Sequence, residues 1–206
     1  MRTRVKICGF TLAEDALFAA QIGVDAVGLV FYAASPRNVS IAQAQAIVRA
    51  LPAFVSVVGL FVDAEVNWVT QVLSEVNLDC LQFHGDESGE ECRRFKKPYI
   101  KAIRVQPGIT FAEVQEQYHD ASGLLLDAYH PGIQGGTGSV FDWDLIPKHS
   151  KLPIILAGGL SIENAALAVR QVKPYALDVS SGVEVSKGIK DAEKMAAFIR
   201  TINQTT

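Results

Sequence analysis

Eight times along this 206-residue chain, a short and almost continuously apolar run is followed by a more polar connecting segment. The runs are "VKIC" (5–8), "AVGLVF" (26–31), "VSVVGLFV" (55–62), "CLQFH" (80–84), "YIKAIRV" (99–105), "LLLDA" (124–128), "PIILAG" (153–158) and "ALDVSS" (176–181). They are rich in β-branched residues and have no polar face, as strands covered on both sides should be. Between them, segments such as "LAEDALFAAQI", "IAQAQAIVRAL" and "IENAALAVRQV" repeat their apolar residues at helical spacing. Four helix starts carry a reciprocal capping pattern: Thr11 with Glu14, Ser40 with Gln43, Ser88 with Glu91, and Thr110 with Glu113. Strand, loop and helix thus recur at about 26 residues per unit, which predicts an α/β chain closed into one compact (β/α)8 barrel over residues 1–206. The competing architecture is an open doubly wound sheet, but no G-x-G-x-x-G follows the first strand. The sixth unit is the weakest, offering a glycine-rich loop and then only a short helix in "GIQGGTGSVFDWDLIPKHS".

Composition narrows the function. A formal net charge of −3 with no large basic patch argues against a nucleic-acid partner. No apolar stretch approaches the roughly 20 residues of a membrane span. "MRTRVKICGF" has no secretory apolar core, so a cytoplasmic location is expected. Three cysteines, Cys8, Cys80 and Cys92, fit neither a disulfide framework nor a zinc pattern. Cys80 and Cys92 read as small buried hydrophobes.

In a (β/α)8 barrel the chemistry sits on the loops at the C-terminal strand ends. Those ends present Cys8, the loop with Arg37, Asp63, His84, Arg104, Asp127, Gly158–Gly159 and Ser180–Ser181–Gly182. Alternation turns Val5 and Ile7 towards the helices and Lys6 and Cys8 into the barrel, with the thiol at its rim. A lysine inside needs a partner. Asp178 on the last strand, which closure lays beside the first, is the candidate, either as a structural pair or in support of catalysis. "AGGLS" (157–161) and "DVSSGVE" (178–184) each end a strand in small residues that admit a close backbone approach, and together they point to a bound phosphate. Arg37 in "SPR" (35–37) reads either as a solvated loop residue or as a fork for a carboxylate. His84 is open between structural and catalytic roles. "GGTG" (135–138) beside Asp127 reads as a lid, with Phe141, Asp142 and Trp143 anchoring its far end.

Taken in order, these motifs resemble the phosphoribosylanthranilate isomerase family from end to end: "KICG" (6–9), "SPR", "VGLFV" (58–62), "QFHG" (82–85), "LLLDA", "GGTG" with "FDW" (141–143), "LAGGL" (156–160) and "DVSSGVE". The resemblance implies an Amadori rearrangement in tryptophan biosynthesis, with no cofactor and no metal. N-(5-phosphoribosyl)anthranilate would become 1-(2-carboxyphenylamino)-1-deoxyribulose 5-phosphate. It implies Cys8 as general base and Asp127 as general acid. Arg37 would meet the anthranilate carboxylate, the Gly158–Gly159 and Ser181–Gly182 loops would hold the phosphate, and His84 and Asp178 would complete the substrate site. The expected partner is a small phosphorylated molecule, for a chain working as a monomer or homodimer. A histidine-pathway isomerase would carry an aspartate in place of Cys8. A metal-dependent epimerase would need more converging histidines than this chain has, and a non-catalytic phosphate-binding module would have lost Cys8 or Asp127.

Overall fold

The computed structural model describes residues 2–106, 108–128 and 143–205. Its strands are β1 (Arg4–Cys8), β2 (Ala26–Val30), β3 (Ser56–Phe61), β4 (Cys80–Phe83), β5 (Tyr99–Val105), β6 (Gly123–Ala128), β7 (Ile154–Leu156) and β8 (Ala176–Val179). They close into a barrel in chain order, every neighbouring pair parallel, with β8 returning to β1. Helices α1 (Ala13–Gln21), α2 (Ile41–Ala50), α3 (Val66–Glu75), α4 (Gly89–Arg93) and α5 (Phe111–Gln117) connect the first six strands in turn. Helix α6 (Ile162–Val172) lies between β7 and β8. In the sixth connection the described part is a single 3-10 turn at Trp143–Leu145. A hairpin, β9 (Glu184–Ser186) with β10 (Ile189–Lys190), and the closing helix α7 (Ala192–Thr205) complete the chain. The eightfold reading of the sequence holds, and β5 and α6 coincide with the expected segments residue for residue.

Alternation divides the apolar side chains into two cores. Val5, Ile7, Val27, Leu29, Leu81, Leu124 and Leu126 face outward into the helix layer. Ile100, Ala102, Leu125, Ile155, Ala157 and Ala176 fill the barrel itself. Above them Cys8, Val30, Leu60 and Val62 form a smaller cluster towards the strand ends. Because each strand is buried on both faces, a run with no polar face is what this architecture demands.

Capping followed the expected pattern at two of the four helix starts. Ser40 and Ser88 form complete capping boxes with Gln43 and Glu91. Thr11 does not cap: α1 begins at Ala13, and the Thr11 hydroxyl donates instead to the Gly188 carbonyl at 2.6 Å. Leu12 takes the N-cap position, and Thr11, one residue before it, is used for a tertiary bond. Thr110 occupies the N-cap position of α5, but its side chain makes no cap hydrogen bond. Among the described residues no helix is long and apolar enough to cross a membrane. The proposed lid at 135–138 and its anchors Phe141 and Asp142 lie outside the described residues, whereas Trp143 is buried in the outer core.

Candidate active site

A cavity of about 750 Å³ opens at the C-terminal strand ends. Cys8 enters it from β1, buried at the rim as alternation requires. Its register partner on β2 is Gly28, where a Cβ would stand 2.6 Å from the Cys8 sulfur. The thiol therefore occupies space that any other residue on β2 would take. Two donors hold the Cys8 carbonyl: Lys190 Nζ at 2.7 Å and Ser180 Oγ at 2.9 Å. Burial raises the thiol pKa above its ordinary value, and the charges of Lys6 and Lys190 pull it back only in part. Lys6 does favour the thiolate, but desolvation is the larger effect.

Lys6 and Asp178 meet as closure predicted. They are register partners on β1 and β8, with Nζ 2.7 Å from Oδ2 and both side chains buried. Burial works against the Lys6 ammonium, but Asp178 and Cys8 together more than offset it and raise its pKa. The other carboxylate oxygen, Oδ1, is buried without a hydrogen-bond partner among the described residues, and Asp178 lines the cavity.

Across the mouth, β6 delivers Asp127, three strand positions around the barrel from β1. His84 Nε2 lies 3.2 Å from Asp127 Oδ2, and His84 Nδ1 lies 3.0 Å from Gln82 Nε2. With the Gln82 amide placed this way it donates to Nδ1, and the proton of the neutral ring sits on Nε2, facing Asp127. Gln82 Oε1 has no partner among the described residues and is buried at the cavity wall.

Arg37 reaches the cavity from the β2–α2 loop. Its stem crosses the chain at Gly9, where a Cβ would collide with the arginine Cδ. Gly9 also has φ +83°, so its place in "KICG" is set twice over. On the opposite side, Gly158 and Gly159 line the wall after β7 at φ +80° and +65°. Ser180 and Ser181 line it after β8, where a 3-10 turn begins. Gly182 is not part of the lining. A Cβ there would run into the Leu160 carbonyl oxygen, so this glycine lets the two loops close on each other. Paired loops after strands seven and eight, with backbone donors and a short helical turn, are the recurrent phosphate cradle of this fold.

The N-(5'-phosphoribosyl)anthranilate (PRA) isomerase family profile matches residues 5–201. The N-(5'-phosphoribosyl)anthranilate isomerase of Azotobacter vinelandii is 58% identical over 199 residues, 97% of each chain. The crystal structure of phosphoribosyl anthranilate isomerase from Thermotoga maritima superimposes with a TM-score of 0.90 at 40% identity, covering 98% of this chain and 99% of that one. A further phosphoribosyl anthranilate isomerase structure, in complex with reduced 1-(o-carboxyphenylamino)-1-deoxyribulose 5-phosphate, matches with a TM-score of 0.83 at 37% identity over 98% and 99% of the two chains.

The chain belongs to the N-(5'-phosphoribosyl)anthranilate isomerase family.

In this isomerase the strand-end reading gathered Cys8, Arg37, His84, Asp127, Gly158, Gly159, Asp178 and Ser181 around one cavity. Asp63 and Arg104 are not in its lining. Asp63 Oδ1 accepts from the Asp86 backbone N–H, and Arg104 leans towards Asp86 at 3.9 Å. The sequence reading missed Gln82, Glu184, Lys187 and Lys190. Gln82 had a usable signal, since it shares the inward face of β4 with His84. Glu184 closes the quoted "DVSSGVE", but nothing local says that it turns back to Arg37.

Proposed function

We propose that this cavity performs the family's Amadori rearrangement, with Cys8 as base and Asp127 as acid. N-(5-phosphoribosyl)anthranilate is converted to 1-(2-carboxyphenylamino)-1-deoxyribulose 5-phosphate. The observation that carries the reading is the convergence of Cys8 and Asp127, from well-separated strands, on a cavity that also holds an arginine and two glycine-bearing loops.

The loops after β7 and β8 hold the phosphate, and Arg37 faces the carboxylate at the other end. Asp127 gives a proton to the furanose oxygen, the ring C1–O bond breaks, and the nitrogen lone pair forms the iminium. That cation acidifies the C2–H. Cys8 as thiolate removes this proton and the electron pair forms the C1=C2 bond of an enolamine. Loss of the C2 hydroxyl proton and protonation at C1 give the ketose. His84, fixed by Gln82, orients the Asp127 carboxyl. Asp178 Oδ1 and Gln82 Oε1, both buried without partners, serve as acceptors for substrate hydroxyl or N–H groups, because leaving them empty in the complex would be costly. The chain acts on this small phosphorylated molecule in the cytoplasm, as a monomer or homodimer.

Isotope exchange separates the two catalytic roles. With C2-deuterated substrate, Asp127→Asn is expected to block ring opening and hence all loss of deuterium. Cys8→Ser should allow opening while C2 deprotonation stalls, with turnover down by about 10²-fold or more. Near-normal turnover of Cys8→Ser would remove the thiol from the mechanism.

A further inference from the structure

Arg37 does not meet the cavity alone. Its Nε donates to Glu184 Oε1 at 2.8 Å and its Nη2 to Glu184 Oε2 at 2.7 Å. This is a side-on, two-pronged pair. Glu184 Oε1 also accepts from Lys190 Nζ at 2.7 Å and from the Gly188 backbone N–H at 3.3 Å. Lys190 is fully buried at its side chain, and its Nζ goes on to the Cys8 carbonyl at 2.7 Å and the Ser180 carbonyl at 3.3 Å. An unbroken chain of charge-assisted bonds therefore runs from the guanidinium of Arg37, through Glu184 and Lys190, to the backbone of Cys8.

We propose that Glu184 is a positioning residue for substrate selection: it fixes Arg37 so that the free end of its guanidinium recognises the carboxylate on the substrate's aromatic ring. The inference rests on the reading of Arg37 as the carboxylate's partner. The chemistry supports it in three ways. First, a guanidinium has a side edge, Nε with Nη2, and an end edge, Nη1 with Nη2. Glu184 takes the side edge, and no other hydrogen bond engages the guanidinium among the described residues. The end edge, with a second planar fork, is left for a carboxylate. Second, the charges do not cancel. Arg37 and Lys190 set against Glu184 leave one net positive charge, so the cluster orients Arg37 and still attracts an anion. Third, the anchor is rigid. Glu184 and Lys190 are register partners in the β9–β10 hairpin, both buried. An exposed arginine would lose side-chain entropy on binding, and here that ordering is already done.

The test compares two substrates, N-(5-phosphoribosyl)anthranilate and N-(5-phosphoribosyl)aniline, which lacks the carboxylate. The readout is the ratio of their kcat/KM values, with product followed by chromatography. Arg37→Ala should collapse the ratio. Glu184→Gln should lower it by about tenfold, acting through KM for the carboxylated substrate rather than through kcat. The double variant should discriminate no worse than Arg37→Ala alone. Equal losses on both substrates for Glu184→Gln, with the ratio unchanged, would overturn the positioning role while leaving Arg37's role intact. A ratio that survives Arg37→Ala would instead overturn the carboxylate reading itself. Glu184→Asp keeps the charge beside Lys190 but withdraws it from Arg37 by one methylene. It must show the same selective loss, and it decides the question alone if Glu184→Gln does not fold.

Discussion

Lys6 on β1 and Lys101 on β5 are both buried strand lysines paired with a carboxylate, yet the two pairs are finished differently. Lys101 faces the helix layer. Its Nζ meets Glu87 Oε2 at 2.9 Å and the Gly85 carbonyl at 2.6 Å, and sits over the Tyr118 ring. Glu87 in turn accepts the backbone N–H groups of Asp63 at 2.8 Å and Gly85 at 2.9 Å. Both carboxylate oxygens are engaged, and the pair ties the loops after β3 and β4 together. Lys6 faces the barrel interior, bonded to Asp178 Oδ2, while Asp178 Oδ1 has no partner among the described residues. A closed network belongs to the scaffold. A network with one buried acceptor left over, at the wall of a cavity, is completed by what binds there.

The comparison breaks if Lys101 matters to turnover. Lys101→Met leaves the Glu87 carboxylate buried without its cation, and loss of about 3–5 kcal/mol of stability is expected by denaturant titration. Activity per folded molecule should stay within about threefold, because neither Lys101 nor Glu87 lines the cavity. The double variants sharpen the contrast. Lys6→Met with Asp178→Leu should recover much of the stability lost in Lys6→Met alone, since the leucine leaves no buried charge. Lys101→Met with Glu87→Leu should recover none, because Glu87 also satisfies two backbone donors that leucine would orphan.

The two pairs also differ in how much of them the sequence disclosed. Lys6 and Asp178 could be matched on paper: alternation sent both inward, and barrel closure made their strands neighbours. Eight units and the strand positions, to within one or two residues at the ends, were legible for the same reason, since period and burial are properties of contiguous residues. Lys101 carries no such signal, because its partner Glu87 lies on a loop after β4 and no periodicity reaches across a loop. The Arg37–Glu184 pair was hidden likewise, by 147 positions of separation and a hairpin that reverses the chain. Thr11 misled in the opposite sense: its local pattern was right for a cap, but the helix starts one residue later at Ala13, and the hydroxyl donates to a carbonyl 177 positions away.

A smaller effect is expected at the open pair. Asp178→Asn keeps the shape of the side chain and an oxygen beside Lys6, but removes the charge that a substrate hydroxyl would meet. If Oδ1 accepts from substrate, kcat/KM should fall by about 10- to 100-fold, the range of a charge-assisted hydrogen bond. Isothermal titration with the reduced product analogue should show weaker binding of similar size. Unchanged binding would mean that Oδ1 is an orphan of the fold, and the distinction between the two lysine pairs would lose its functional content.

The smallest effect concerns the protonation of Cys8. The groups that act on it include Lys6 from its own strand, Asp178 from β8, Lys190 from β10 and Arg37 from the β2–α2 loop. Burial dominates and raises the thiol pKa, so the thiolate becomes abundant only above the ordinary thiol value of about 8.5. The rate of Cys8 alkylation by iodoacetamide should therefore rise with pH through a midpoint above that value. Lys6→Met removes a cation that favours the thiolate and leaves Asp178, whose charge disfavours it, without its partner. Loss of the cation should move the midpoint further up. Lys101→Met should leave the midpoint in place, because Lys101 is turned to the other face of the sheet. In kcat/KM the same shift should appear as an activity limb displaced to higher pH, provided the thiolate removes the C2 proton. A midpoint that falls in Lys6→Met would show that Lys6 and Asp178 together disfavour the thiolate, and that the pair under the cavity serves the substrate alone.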